Sequence, residues 1–498
     1  MKYWSVQCPL FNSWGGPESV RIEVAIRGGL PGLHIFGVAP SVARNTAERI
    51  RCAFQMSGIK WPYRTVVAEI GNHDPALTDL LDLPLAGCLL ACLGYQVHGL
   101  QSGNGLLGRM NLSGHIQTLE EAPRHLAGAG ILGYESLQCN TAEARLLLAP
   151  GAARPRPINH LNDLFAPLPP PLECDVAPPL MPASLSNILD TAVLNYSRHV
   201  WRAAVACAEA RHSMLILGPP GAGKSLLAQS VYYMLPPPSE KEQSVLALQS
   251  GSEADRFHRP LRRPHHSITR TGLIGGGSPV RPGELSRSSH GMLLLDEMGE
   301  FQRQVLQALR EPMESGEVHL SRGQSFVRLP FRSWVVGTSN ACPCGLRGSA
   351  NKRCLCTDAT VESYLMRILG PLQDRMDLQL FIQDQELDVL DDLSVVEQWR
   401  CELWKAQRQS ERGYYNGELP DASLEQICGF ENERVELVWK EECAELSHRK
   451  RNGIRRLART FADMSGAAWI QMEHLLEALR HAPAASSQII LQGNAKVP

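Results

Sequence analysis

The stretch SMLILGPPGAGKSLLAQS, residues 213–230, decides the fold of this chain. It begins with the apolar run 214–217, which has the length and character of a buried parallel strand. The residues GPPGAGKS then match the pattern G-x-x-x-x-G-K-S/T, and Leu226, Leu227 and Ala228 begin a helix. Strand, glycine-rich loop and helix in this order predict a phosphate-binding loop rather than a chance glycine-rich turn.

This loop predicts that the cofactors are ATP and Mg²⁺. Lys224 can reach the β- and γ-phosphates, and the hydroxyl of Ser225 can ligate Mg²⁺. The predicted nucleotide-binding residues are Gly218, Pro219, Pro220, Gly221, Ala222, Gly223, Lys224 and Ser225.

Length and composition limit the number of domains and the classes of function that this chain can have. A chain of 498 residues is too long for one ordinary core, so several domains are expected. Lysine plus arginine number 49 against 51 acidic residues, and this balance gives no global attraction to nucleic acid. No apolar stretch approaches the roughly 20 residues of a membrane span, and the N-terminus lacks the apolar core of a signal peptide. We therefore expect a soluble, cytoplasmic protein without a membrane partner.

Composition and periodicity divide the chain into four parts. Residues 1–165 have the pattern of a mixed α/β domain, and 166–185 form a proline-rich linker. Residues 186–385 form the α/β nucleotide domain, and 386–498 are predicted to be helical.

Three further signals follow the phosphate-binding loop. HGMLLLDEMGEF (290–301) is an apolar strand that ends in Asp296 and Glu297, and FRSWVVGTSN (331–340) is a strand that ends in Asn340. Between them, residues 317–329 alternate on either side of Arg322-Gly323, which predicts a β-hairpin. Asp296 is placed to hold Mg²⁺, and Glu297 to polarise the attacking water.

The order of these motifs, with Arg375 downstream, resembles an AAA+ ATPase. The segments RRPHHS, IGGGSPVRPGELSRSSHGMLLLDE and SNACPCG resemble the magnesium-chelatase-like group, and GLPGLHIFGV, RGYYN and LARTFAD are similar to the ComM/YifB family. The resemblance implies an α/β architecture: a Lon-protease-like (ribosomal S5 domain 2-like) N-terminal domain, an AAA+ core with a parallel sheet, and a helical lid. It also implies homo-hexameric rings with helicase activity that translocate on single-stranded or branched DNA and promote branch migration during recombination of incoming DNA (natural transformation).

The resemblance also implies roles for polar residues beyond the phosphate-binding loop. Asn340 matches sensor 1, Arg375 matches an arginine finger that reaches the neighbouring subunit's nucleotide, and Arg449 matches the lid's sensor 2. Arg367 is the alternative finger. The alternatives for Asn340 and Arg449 are a turn residue and an arginine on a basic surface helix.

Four cysteines form a separate cluster, Cys342, Cys344, Cys354 and Cys356, spaced as two C-x-C pairs. Four thiolates on a short loop can complete a tetrahedral Zn²⁺ shell, which predicts a structural rather than a catalytic zinc site. The alternative is a loop of reduced cysteines.

The segment 256–266, RFHRPLRRPHH, is densely basic. Together with Arg322 it can line a central pore and follow a phosphate backbone; alternatively, it is a structural insertion whose arginines pair with carboxylates between subunits. In the N-terminal domain, Leu85 occupies the position of the serine nucleophile of Lon-type peptidases, so the domain is expected to serve as a scaffold that binds a protein partner or DNA.

These observations predict a DNA-directed motor. The rival interpretations are a protein-remodelling ATPase of the chelatase or MoxR type, and an ATP switch that binds a partner through residues 1–165.

Overall fold

The structure is a computed structural model, and the chain divides into two compact units, Met1–Leu180 with Pro238–His258, and Met181–Pro237 with Arg259–Pro498. The residues described are 2–11, 17–71, 73, 75–100, 103–141, 146–148, 151–176, 196–239, 242–243, 245–246, 258–277, 281–322, 325–349, 352–370, 372, 374–383, 390, 394–409 and 415–482. Within these ranges, no helix has the length and apolar character that crossing a membrane would require.

The first unit combines strands with helices. Its elements are β1 (Lys2–Phe11), β2 (Pro17–Arg27), β3 (Gly32–Phe36), α1 (Pro40–Met56), β4 (Thr65–Ile70), α2 (Asp82–Leu93), β5 (Asn104–Leu106), α3 (Ala122–Ile131), β6 (Ser136–Cys139), β7 (Leu146–Leu148), β8 (Arg154–Pro157) and β9 (Cys174–Val176), with 3₁₀ turns at Pro75–Leu81, His98–Leu100 and Leu161–Phe165. The main sheet has the order β1-β2-β4-β3, and smaller sheets pair β5-β6-β8 and β7-β9.

Alternating burial explains the main sheet of this unit. In β2, the inward residues Val20, Ile22, Val24 and Ile26 are buried, while residues between them are more exposed. The apolar helix α2 packs its residues into the same core, and Leu85 is among them with 1% of its surface exposed. The residue that the resemblance places at the nucleophile position of Lon-type peptidases is therefore a core residue.

The second unit contains the phosphate-binding loop. Its elements are α4 (Arg198–Ala210), β10 (Met214–Leu217), α5 (Lys224–Tyr233), β11 (Leu261–Arg262), α6 (Arg270–Ile274), β12 (Gly275–Gly276), β13 (Arg281–Pro282), α7 (Glu284–Arg287), β14 (Met292–Leu295), α8 (Arg303–Ala308), α9 (Arg310–Ser315), β15 (Glu317–Arg322), β16 (Ser325–Pro330), β17 (Trp334–Ser339), α10 (Asp358–Leu369), β18 (Leu378–Phe381), α11 (Ser394–Gln409), α12 (Leu424–Ile427), α13 (Glu433–Glu442), α14 (His448–Met464) and α15 (Met472–His481). Its 3₁₀ turns are Met298–Glu300, Asn416–Glu418 and Asp421–Ser423.

A five-stranded sheet of order β11-β14-β17-β10-β18 forms the centre of this unit, and every pairing in it is parallel. Strands β10, β14 and β17 are buried throughout, as expected of parallel strands covered on both faces. Leu217 of β10 pairs with Ser339 of β17, and Leu295 of β14 with Gly337. The carboxyl ends of all three strands therefore meet at one edge of the sheet.

Most elements predicted for this unit are confirmed, namely the strands that carry the motifs, the hairpin β15–β16 and the helical C-terminal part. Strand β18 was not predicted from the sequence. It places the sequence after Arg375 beside β10, where Met214 pairs with Leu378.

Trp334 anchors this sheet to the helices around it. The ring is fully buried, and its indole N–H donates to the Ala208 carbonyl of α4 at 2.7 Å. The guanidinium carbons of Arg211 and Arg259 lie 3.9 and 4.6 Å from the ring centroid. One side chain thus combines apolar burial, a satisfied donor and two cation–π contacts.

We predict that Trp334→Ala lowers the free energy of unfolding of this unit by about 3–5 kcal/mol, because it removes a large buried ring. Trp334→Phe should cost less, about 1–3 kcal/mol, because it mainly leaves the Ala208 carbonyl without its donor. Urea denaturation followed by circular dichroism measures both. Trp404→Ala, at a partly exposed position of α11, is the control and should change stability by no more than about 0.5 kcal/mol.

Candidate active site

The phosphate-binding loop follows β10 and has the backbone that phosphate binding requires. Gly223 has a φ of 84°, a left-handed conformation, and it immediately precedes α5. At Gly218 an added Cβ would lie 2.5 Å from the carbonyl oxygen of Ile382, the residue after β18, so only glycine fits here. The helix N-terminus therefore faces a loop whose amides can surround an anion.

Lys224 closes this loop onto itself. Its ammonium donates to the carbonyl oxygens of Gly218 at 2.9 Å and Pro219 at 2.7 Å. It also lies 3.3 Å from Oδ1 of Asn340, at the end of β17. The structure thus brings together the lysine predicted to bind phosphate and the predicted sensor 1.

Asp296 lies at the end of β14, facing the start of α5. Its carboxylate accepts a hydrogen bond from Ser225 Oγ at 3.0 Å and another from Thr338, and it pairs with the guanidinium of Arg263. Burial opposes ionisation of Asp296, but the hydrogen bonds from Thr338 and Ser225 and the charge of Arg263 outweigh it and lower the pKa. Asp296 is therefore ionised at neutral pH.

Ser225 and Asp296 fit a magnesium ion. Both offer oxygen, the ligand that Mg²⁺ prefers, and the two groups converge at 3.0–3.3 Å at the helix N-terminus. When bound, the ion would neutralise charge on the phosphates.

Glu297 is exposed at the strand end and has a left-handed backbone, with a φ of 56°. Its backbone N–H donates to Thr338 Oγ1 at 3.1 Å, while the same hydroxyl donates to Asp296. Thr338 therefore fixes both acidic residues, a role that sequence reasoning missed. The sequence does contain one indication of this role: Thr338 lies two residues before Asn340, and alternate residues of a strand share a face.

The cysteine-rich loop lies against the phosphate-binding loop. An added Cβ at Gly345 would be 3.3 Å from Pro220, and one at Gly348 would be 3.5 Å from Pro219. The loop is held at its base by Arg347, whose guanidinium lies 3.3 Å from the Asp358 carboxylate of α10. This proximity was not evident from the sequence.

The four cysteine sulfur atoms converge, and all lie within 4.8 Å of one another. Three of the separations are 3.4 Å (Cys342–Cys344), 3.5 Å (Cys344–Cys354) and 3.7 Å (Cys342–Cys354). Sulfur atoms about 2.3 Å from a tetrahedral Zn²⁺ lie about 3.8 Å apart, so the cluster has the dimensions of such a shell. This cluster can bind zinc.

Arg375 lies at the opposite edge of the sheet from the phosphate-binding loop. The Ser213 hydroxyl, just before β10, lies 2.7 Å from the Arg375 carbonyl oxygen and 3.0 Å from the Asp377 carboxylate. β10 separates this edge from Gly218 by its full length, about 13 Å at about 3.3 Å per residue. The Arg375 side chain pairs with Glu314 at 3.0 Å, and Arg449 pairs with the same carboxylate at 2.9 Å.

The predicted site residues thus form two groups. Lys224, Ser225, Asp296 and Asn340 are joined by hydrogen bonds at one edge, with Glu297 next to them, and Arg375 and Arg449 meet on Glu314. Arg367, the alternative finger, donates to the Gly299 carbonyl at 2.9 Å, just after the Asp296-Glu297 pair.

Within the described part of the basic segment, the arginines contact groups of the same chain. Arg259 is buried and donates to the carbonyls of Pro236 and His290. Arg262 forms a two-pronged pair with Glu284 at 2.7 and 2.8 Å, and Arg263 pairs with Asp296. Residues 256–257 and the side chain of Arg322 lie outside the described part of the chain.

Comparisons with known proteins identify the family of this chain. A family model described as magnesium chelatase, subunit ChlI, matches residues 191–390, and a model of the C-terminal part of ChlI matches 398–481. A third model, described as subunit ChlI of Mg-chelatase, matches 22–137. The YifB protein of Salmonella typhimurium is 30% identical over 487 residues, which cover 93% of this chain and 94% of that protein. The chain belongs to the ChlI-like family.

The competence protein ComM of Haemophilus influenzae is 29% identical over 478 residues, covering 92% of this ChlI-like chain and 94% of ComM. A protein of Mycobacterium tuberculosis is 31% identical over 375 residues, covering 73% of this chain and 74% of that protein.

This ChlI-like chain is therefore a magnesium-chelatase-like ATPase of the ComM/YifB group. The family implies ATP and Mg²⁺ as cofactors, in accord with the site formed by Ser225 and Asp296.

We predict that this ChlI-like ATPase, purified without chelators, contains about one zinc per subunit, bound by the four clustered thiolates. Elemental analysis should show that the double substitution Cys342→Ser/Cys354→Ser abolishes zinc binding. Cys401→Ser, at an exposed cysteine of α11, is the matched control and should retain the metal. Metal-free wild-type protein would contradict the prediction.

Proposed function

We propose that this ATPase is a homo-hexameric ring motor that acts on DNA. The observation that carries the ring is the position of Arg375, which lies about the length of a strand away from its own phosphate-binding loop. An arginine at that edge can stabilise charge on a phosphate only if the nucleotide belongs to a neighbouring subunit. In this proposal Asp296 holds Mg²⁺, Glu297 polarises water, Asn340 senses the γ-phosphate and Arg375 is the finger.

Two observations support DNA as the substrate. The ComM relative is named a competence protein, and it aligns over nearly its whole length. The sequence of the hairpin β15–β16 contains two arginines, Arg322 and Arg328, and arginine is a residue type that binds phosphate backbones. We propose that the motor promotes branch migration in recombination of incoming DNA.

A protein-remodelling activity is the second candidate, and one observation favours it. Arg259, Arg262 and Arg263 are engaged by groups of their own subunit, and the net charge of the chain is −2. These arginines therefore offer a DNA strand less charge than their number suggests.

We further propose that the first unit has a Lon-like fold without peptidase function and serves as a docking domain. The buried Leu85 supports this role, because a leucine in a core has neither a nucleophile nor a proton to transfer.

We predict that single-stranded, duplex or forked DNA increases the rate of ATP hydrolysis several-fold, and that this stimulation weakens as salt rises from about 50 to about 200 mM. A phosphate-release assay measures both. Glu297→Gln should bind ATP without hydrolysing it, whereas Lys224→Ala should not bind it, so these variants identify the source of the activity. ATPase activity that responds to no DNA, while the two variants behave as expected, would favour the protein-remodelling alternative.

We also predict that Arg375→Ala binds ATP normally but hydrolyses it far more slowly, because a finger contributes about 10³ to 10⁵ in rate. Mixing it with Lys224→Ala should restore part of the turnover, since some interfaces then combine an intact loop with an intact finger. Steady-state assays of mixed rings measure the recovery. Recovery with Arg367→Ala in place of Arg375→Ala would assign the finger to Arg367.

A further inference from the structure

Glu314 holds two arginines that come from different parts of the second unit. Arg375 precedes β18 in the α/β core, whereas Arg449 lies in the first turn of α14, in the helical C-terminal part. One carboxylate oxygen of Glu314 is 3.0 Å from Nη2 of Arg375, and the other is 2.9 Å from Nη1 of Arg449.

Helix α9 provides a second anchor for each guanidinium. Arg375 Nε donates to the Arg310 carbonyl at 3.3 Å, and Arg449 Nη2 donates to the Met313 carbonyl at 3.1 Å. The Arg310 carbonyl lies at the start of α9, whereas the Met313 carbonyl belongs to its last turn, where carbonyl groups lack intrahelical partners and carry partial negative charge. Each arginine is therefore fixed at two of its nitrogens, which restricts the direction of its planar group.

The charges of this trio leave it suited to bind an anion. The hydrogen bond from Arg375 and the nearby charge of Arg449 lower the pKa of Glu314, so its carboxylate is ionised at neutral pH. Two guanidinium groups with one carboxylate give a net charge of +1 by formal count, and the carboxylate offsets their mutual repulsion. Glu314 can thus hold the arginines side by side without cancelling their attraction for phosphate.

We propose that Glu314 is a positioning residue that aligns Arg375 and Arg449 as one unit, directed at the polyphosphate of the nucleotide bound by the neighbouring subunit. This inference rests on the proposed intersubunit role of Arg375. Glu314 touches no substrate; it acts by fixing the two arginines and by linking the helical C-terminal part to the α/β core at the subunit face.

Glu314→Gln tests the proposal, because it preserves shape and removes the charge. We expect kcat for ATP to fall about tenfold to a hundredfold, the effect of losing charge-assisted hydrogen bonds, while KM changes less than about twofold. Glu314→Asp should recover part of the loss. The matched control is Glu311→Gln, on the same helix, where the carboxylate contacts His319 instead and kcat should stay unchanged.

A double-mutant cycle separates positioning from general stability. If Glu314 acts through Arg375, adding Glu314→Gln to Arg375→Ala should reduce kcat by much less than it does in the wild type. Two results would overturn the role of Glu314 while leaving the finger in place. One is full additivity of the two substitutions. The other is a kcat for Glu314→Gln equal to that of Glu311→Gln while Arg375→Ala is impaired. Normal turnover in both Arg375→Ala and Arg449→Ala would instead remove the intersubunit finger, and with it the proposed ring mechanism.

Discussion

The parallel pairing of β10 with β17 on one side and β18 on the other is the constraint on which the rest of the second unit depends. Because parallel strands share one direction, all residues that follow these strands meet at one edge and all that precede them meet at the other. The phosphate-binding loop and Asn340 follow β10 and β17. Arg375 precedes β18, and the contact between Ser213 and its carbonyl holds it at the start of β10.

This arrangement divides one set of chemical groups between two surfaces of the same subunit. Groups that can bind and activate a nucleotide lie at the carboxyl edge, and the paired arginines lie at the amino edge. Neither surface holds the full set, and in the proposed ring the two surfaces of neighbouring subunits together form a complete site. In this proposal the five-stranded sheet separates the nucleotide-binding groups from the paired arginines.

The sequence predicted what depends on local pattern. The apolar run before the loop predicted β10 without error, and the runs before Asp296 and Asn340 predicted β14 and β17. Contacts between distant segments were beyond its reach, because no periodicity encodes them. Thr338 on Asp296 and the cysteine loop against Pro220 are two such contacts. The basic segment shows a further limit of prediction from sequence. The sequence shows that Arg262 is charged, but it does not show that the Glu284 carboxylate pairs with it.

The contacts of Lys224 and Arg263 mean that nucleotide binding is an exchange reaction. In the structure the ammonium of Lys224 is solvated by loop carbonyls, and the guanidinium of Arg263 balances Asp296, near the position where a divalent cation fits. Entry of a metal–nucleotide complex therefore replaces existing electrostatic partners, and the affinity reflects a difference between two well-solvated states. The cations of Lys224 and Arg263 thus reduce the mutual repulsion of the carbonyl and carboxylate oxygens around them.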